Sequence, residues 1–205
     1  MKRTMLGALA VLVGSAALAQ TYPEPEFSNE IYLLKKNPAY SLVRLERESS
    51  NMETKTKLGG LGGAQSGYTI AGPRSSVRFA GGDKLSFVFT RSASTSSAGQ
   101  PDPSAISGAL AQMNDPANMI SLYKVESGNG NRMILLQRGG GALPFGRRRQ
   151  QSSEKYTFGV KKIREGYWEL ALDKPLPKGE YAFTMMNVMN MSLRGGTVVF
   201  AFGVD

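Results

Sequence analysis

The sequence predicts an all-β protein, a sandwich of two packed sheets, and three observations carry the prediction. Apolar and polar residues alternate over short runs, the period of a strand with one face against a core. Those runs are bounded by Gly, Pro, Asn and Ser, which end strands and build turns. Helical periodicity is almost absent beyond residue 20.

Taken in order, Ile31–Lys35 and Ser41–Glu46 are the first expected strands. The polar stretch Ser49–Gly67, which contains Gly59-Gly-Leu-Gly-Gly63, is expected to be a long loop. Its glycine run lacks the Lys-Ser/Thr of a phosphate-binding loop and does not lead from a strand into a helix. Val77–Ala80 follows as a short strand. Leu85, Phe87 and Phe89 then alternate with Lys84, Ser86 and Thr90, which puts the aromatic rings on one face. Ser92–Pro116, rich in Ser, Ala and Pro, is a second long loop with room for a short helix at Ile106–Met113.

Met119–Val125 and Met133–Gln137 form a hairpin, because Gly128-Asn-Gly-Asn131 tolerates the positive φ of a tight turn. Gly139–Ser153 is the third long loop and runs from glycines into Arg147-Arg148-Arg149. Tyr156, Phe158 and Val160 line one face of the next strand, and Glu165-Gly166 turns it into Tyr167–Leu172. There Trp168, Leu170 and Leu172 are expected on the dry face, with Tyr167, Glu169 and Asp173 on the wet one. Glu180–Met186 and Thr197–Val204 bring the total to roughly nine or ten strands, enough for two sheets.

Leu176-Pro-Lys-Gly-Glu-Tyr181-Ala-Phe183 places a tyrosine two residues after Gly at the entry to a strand. This resembles the tyrosine corner of immunoglobulin-like sandwiches, in which the phenol bonds back to backbone just upstream. The resemblance implies that Trp168–Leu172, Glu180–Met186 and Thr197–Val204 are the last three strands, E, F and G, with Tyr181 and Trp168 as structural residues. Over its last half the chain is also similar to a group of uncharacterised bacterial secreted proteins. The residues that carry this likeness are Pro175-Leu-Pro-Lys-Gly-Glu-Tyr-Ala-Phe183, Phe202-Gly-Val-Asp205, and Ile120-Ser-Leu-Tyr-Lys124 followed by Arg132. It implies a β domain and no particular activity or site.

At the N-terminus, Lys2 and Arg3 precede the apolar run Met5–Val13, and Ala17-Leu-Ala19 supplies small residues before Gln20. Residues 1–19 therefore read as a secretory signal peptide and Gln20–Asp205 as one exported domain, periplasmic or extracellular. The apolar run is shorter than the ~20 residues that span a bilayer, and most expected strands are shorter than the ~9–11 of a membrane barrel. A membrane-spanning protein is not expected.

Composition removes several chemistries. Without Cys the chain has no disulfide, thiolate nucleophile or thiolate metal site. Without His it lacks the usual general base near neutral pH, the Ser-His-Asp triad and the commonest zinc ligand. The net charge of +9 favours anionic partners.

Three clusters are candidate sites. Arg147, Arg148 and Arg149, followed by Lys155, Lys161, Lys162 and Arg164, concentrate cations that can hold phosphate or sulfate groups with bidentate geometry. Met185, Met189 and Met191 fall on one face of an extended strand, where thioethers select a soft ion such as Cu(I). Asp102 and Asp115, with Glu165, Glu169 and Asp173 around Trp168, supply carboxylates for a glycosidase pair beside an aromatic platform. The competing readings are a solvated basic loop, methionines filling an irregular core, and carboxylates on a wet strand face.

The expectation is an exported, non-catalytic binding or structural module of the cell envelope or extracellular space. It needs no cofactor and meets an anionic envelope component or a protein through Arg147–Arg149. Nucleic acid is disfavoured by export and by the lack of aromatics among the arginines. A copper-binding protein and a carboxylate-dependent glycan hydrolase are the alternatives.

Overall fold

Alternation decides which side chains meet. Phe87 and Phe89, Leu170 and Leu172, Tyr181 and Phe183, and Phe200 and Phe202 each sit two apart on a strand, and all lie in one buried cluster. A computed structural model describes residues 21–56, 64–82, 84–91, 115–128, 130–139, 152–185 and 196–205. In chain order its strands are β1 (Ile31–Lys35), β2 (Ser41–Arg44), β3 (Glu46–Ser50), β4 (Met52–Thr56), β5 (Ala64–Ile70), β6 (Arg78–Phe79) and β7 (Ser86–Thr90). A single turn of helix, α1 (Pro116–Met119), leads into β8 (Ile120–Gly128) and β9 (Asn131–Gly139). Then come β10 (Lys155–Tyr156), β11 (Phe158–Arg164), β12 (Tyr167–Leu172), β13 (Gly179–Met185) and β14 (Thr197–Val204).

The strands form two antiparallel sheets packed face to face, with orders β11-β12-β7-β1-β2 and β3-β14-β13-β8-β9-β5-β4. Within them, β1-β7-β12-β11 and β8-β13-β14 follow the A-B-E-D and C-F-G orders of an immunoglobulin sandwich. The strands β2 to β6 are additions between A and B. At the joint before β13, Tyr181 Oη donates to Pro177 O at 2.6 Å, tying the connection between the sheets to the strand that follows it. Between the sheets the Phe87 and Phe183 rings meet edge to face at 4.8 Å between centroids.

Both expected tight turns are present. Gly128 pairs with Asn131 across a turn in which Gly130 takes φ 82°, and Arg164 pairs with Tyr167 around Gly166 at φ 71°.

Other expectations are corrected. The expected loop Ser49–Gly67 contains β4 and the start of β5, whose polar side chains pair across strands, as Thr54 does with Ser66 at 3.0 Å. Ser41–Glu46 is broken at Leu45, which turns into the core and divides β2 from β3. The expected strand through Tyr156, Phe158 and Val160 is divided at Thr157: β10 pairs with β8 in one sheet and β11 with β12 in the other. The supposed wet face of β12 is covered, with Tyr167 at 1% and Glu169 at 5% exposure. Residues from the start of the chain lie over it. Tyr167 Oη donates to Pro23 O at 2.8 Å, and Glu169 accepts from Tyr22 Oη and Lys36 Nζ, both at 2.6 Å. Asp173, just past the end of β12, is exposed. The expected helix at Ile106–Met113 lies outside the described residues.

Candidate functional site

Small residues on the outer face of β13 and β14 make the site possible. Ala182, Val199 and Ala201 point away from the sandwich core and leave room for the second sheet to fold back over itself. Its far strands β9 and β5 cover this face, and Ile134 and Ile70 join the three residues and Val125 in a second buried cluster. The edges of the curl meet side by side. Ser50 Oγ on β3 donates to Thr69 O on β5 at 2.7 Å, and the Glu48 carboxylate accepts from the Ala71 N–H at 2.9 Å. The result is a short barrel-like enclosure fused to the outside of the sandwich.

One end of the enclosure is plugged by charge. Arg132, 1% exposed, donates through Nη2 to Glu46 Oε1 at 2.7 Å and to Ala71 O at 2.8 Å, and through Nε to Gly72 O at 3.2 Å. Glu180 lies 3.7 Å from the same guanidinium and accepts from Ser75 N at 2.8 Å and Arg78 Nη1 at 2.5 Å. Arg78 continues the chain of charges to Asp205, with Nη2 2.7 Å from Oδ1. Burial pushes the Glu46 carboxyl up, but the bonds from Arg132 and Ser75 outweigh it and hold the group below its ordinary range. The Arg78 bond likewise holds Asp205 low.

At the other end the described residues leave a cavity. A pocket of about 210 Å³ lies there, with Tyr68, Tyr123 and Leu136 among its walls. Ser121, Thr184 and Thr197 add hydroxyls, and Met119 and Met185 complete the lining. β9 ends at Gly139, three residues beyond Leu136, and β13 ends at Met185 in the pocket lining.

Arg147, Arg148, Arg149, Met189, Met191 and Asp102 themselves lie outside the described residues. Met185 is half-buried and packs partly against the sandwich core. Of the cations after the loop, Lys162 pairs with Glu165 at 2.5 Å and Arg164 with Glu24. Lys155 and Lys161 are exposed and form no ion pair with a described residue.

Asp115, Glu165 and Trp168 line one open groove beside α1 and β11. Both carboxylates have other partners there, Asp115 as the cap that accepts from Ala117 N at 2.9 Å and Glu165 in its pair with Lys162. Trp168 stacks on Phe89 with ring centroids 5.9 Å apart. Glu169 is on the opposite face of β12 from Trp168 and is not among the residues that line this groove. Burial raises its carboxyl, yet the bonds from Lys36 and Tyr22 prevail and hold it low.

Among the described residues no group of three or more Asp or Glu side chains is placed to hold a metal ion, and no helix is long and apolar enough to cross a membrane. The buried arginine and the pocket were missed from the sequence. Arg132 sits in an alternating strand like any surface residue, and the pocket's walls come from five separated segments. Comparison with protein-family models, with curated proteins and with solved structures finds no match to the chain.

Proposed function

We propose that this protein is an exported, non-catalytic binding module that holds an anionic component of the cell envelope through Arg147–Arg149 and the cations that follow it. The observation that carries the reading is where the charge is spent. The chain has 25 Lys and Arg against 16 Asp and Glu, and the buried carboxylates Glu30, Glu169 and Glu180 are each paired with a cation, Arg44, Lys36 and Arg78 respectively. The surplus is therefore left to exposed cations, and Lys155 and Lys161 on the strands after the arginine run are two of them. The low-held Glu46 and Glu169 carboxyls also stay ionised near neutral pH, which suits structural pairing better than proton donation.

Replacing Arg147, Arg148 and Arg149 together with Ser is expected to lower the salt concentration that elutes the protein from an anionic resin and from an envelope fraction. Unchanged elution would remove the loop from the interface.

The soft-metal reading keeps one supporting observation: Met119 joins Met185 in the lining of the pocket. Titration with Ag(I) tests it, stoichiometric binding weakened by Met185→Leu being the outcome it requires.

A further inference from the structure

We infer that the pocket at the end of the enclosure away from the arginine plug is a binding site for a small, uncharged aromatic molecule carrying a hydroxyl group. Its size sets the first limit. At about 210 Å³ it exceeds the ~150 Å³ cavity known to accept benzene and falls below the ~300 Å³ at which drug-sized sites begin. One substituted ring fits that interval.

Charge sets the second limit. In a chain of net charge +9, none of the described residues lining this pocket is Asp, Glu, Lys or Arg. An anion entering it would meet no charged side chain among the described lining residues, the nearest recorded cation being Arg91, whose guanidinium donates to Met119 Sδ at 3.9 Å. The described lining thus favours an uncharged ligand over the anions that the exposed cations attract.

The lining sets the third. Tyr68 and Tyr123 offer ring edges and faces, and the thioethers of Met119 and Met185 make favourable contacts with aromatic rings. Ser121 and Thr184 bring hydroxyls that can donate to or accept from a polar substituent. Thr197 is already used, since its hydroxyl donates to Met185 O at 3.3 Å. The plug of Arg132, Glu46 and Glu180 occupies one end of the enclosure, and the pocket lies against its apolar interior through Tyr68, Tyr123 and Leu136.

The test is calorimetric titration of the protein with p-cresol, toluene and 4-hydroxybenzoate, followed by chemical-shift mapping. Saturable p-cresol binding that shifts Tyr68, Leu136 and Thr184 is expected, with 4-hydroxybenzoate weaker by about tenfold or more. Leu136→Trp, which fills the pocket, should abolish binding. Thr184→Val keeps the shape, and it should weaken p-cresol while leaving toluene unchanged. Absence of saturable p-cresol binding to the wild type would overturn the inference, as would shifts confined to another surface. Equal affinity for 4-hydroxybenzoate would also overturn it.

Discussion

Arg132 is the residue whose environment departs furthest from its type. A guanidinium at 1% exposure is tolerated because two carbonyls and a carboxylate accept its hydrogen bonds, with a second carboxylate close by. Removing it leaves Glu46 in the enclosure without its cation. Arg132→Met is therefore expected to lower unfolding free energy by about 3 kcal/mol, read from the urea midpoint. A midpoint within experimental error of the wild type would show that the plug contributes nothing to stability.

At the scale of elements, the connection between β12 and β13 is anchored by Leu176 in the core and by the hydroxyl of Tyr181. Tyr181 is fully buried, and its bond to Pro177 O restrains the turn that carries the chain from one sheet to the other. Burial raises the phenol's pKa, so the donor stays protonated through neutral and mildly alkaline pH. Tyr181→Phe keeps the ring among Tyr156 and Phe202 and deletes the bond to Pro177 O together with the contact between the Tyr181 and Tyr156 hydroxyls. A loss of about 1–2 kcal/mol is expected, with strand content unchanged by circular dichroism. A loss of strand content would mean that the corner specifies the fold as well as stabilising it.

Over the whole molecule, the paired carboxylates predict how stability depends on pH. Glu46, Glu169 and Asp205 are all held below their ordinary range in the folded chain. Folding therefore favours their ionised forms, and the contribution is fully present above the unfolded carboxylate range near pH 4.5. It is lost as pH falls through the lower folded values. The melting temperature should stay nearly level from about pH 8 to 6 and drop steeply below about pH 4. Arg132→Met should flatten that acid limb, because Glu46 then loses the bond that outweighs its burial. An acid limb as steep in the variant would assign the effect to the other two carboxylates.

Local chemistry by itself determined the β class, the two tight turns and the aromatic face of β7. Strand period, Gly-Asn turns and the Gly179-Glu-Tyr181 run act over a few residues and need no distant partner. The tertiary structure alone decided which faces were doubly covered. Tyr167 and Glu169 alternate as surface residues should, yet Tyr22 and Lys36 reach them from more than 130 positions away. Ala182 and Ala201 give no hint in sequence that β5 and β9 will close over them. Burial there depends on how the sheet curls, and that is a property of long-range pairing. The enclosure, its arginine plug and its pocket follow from that curl.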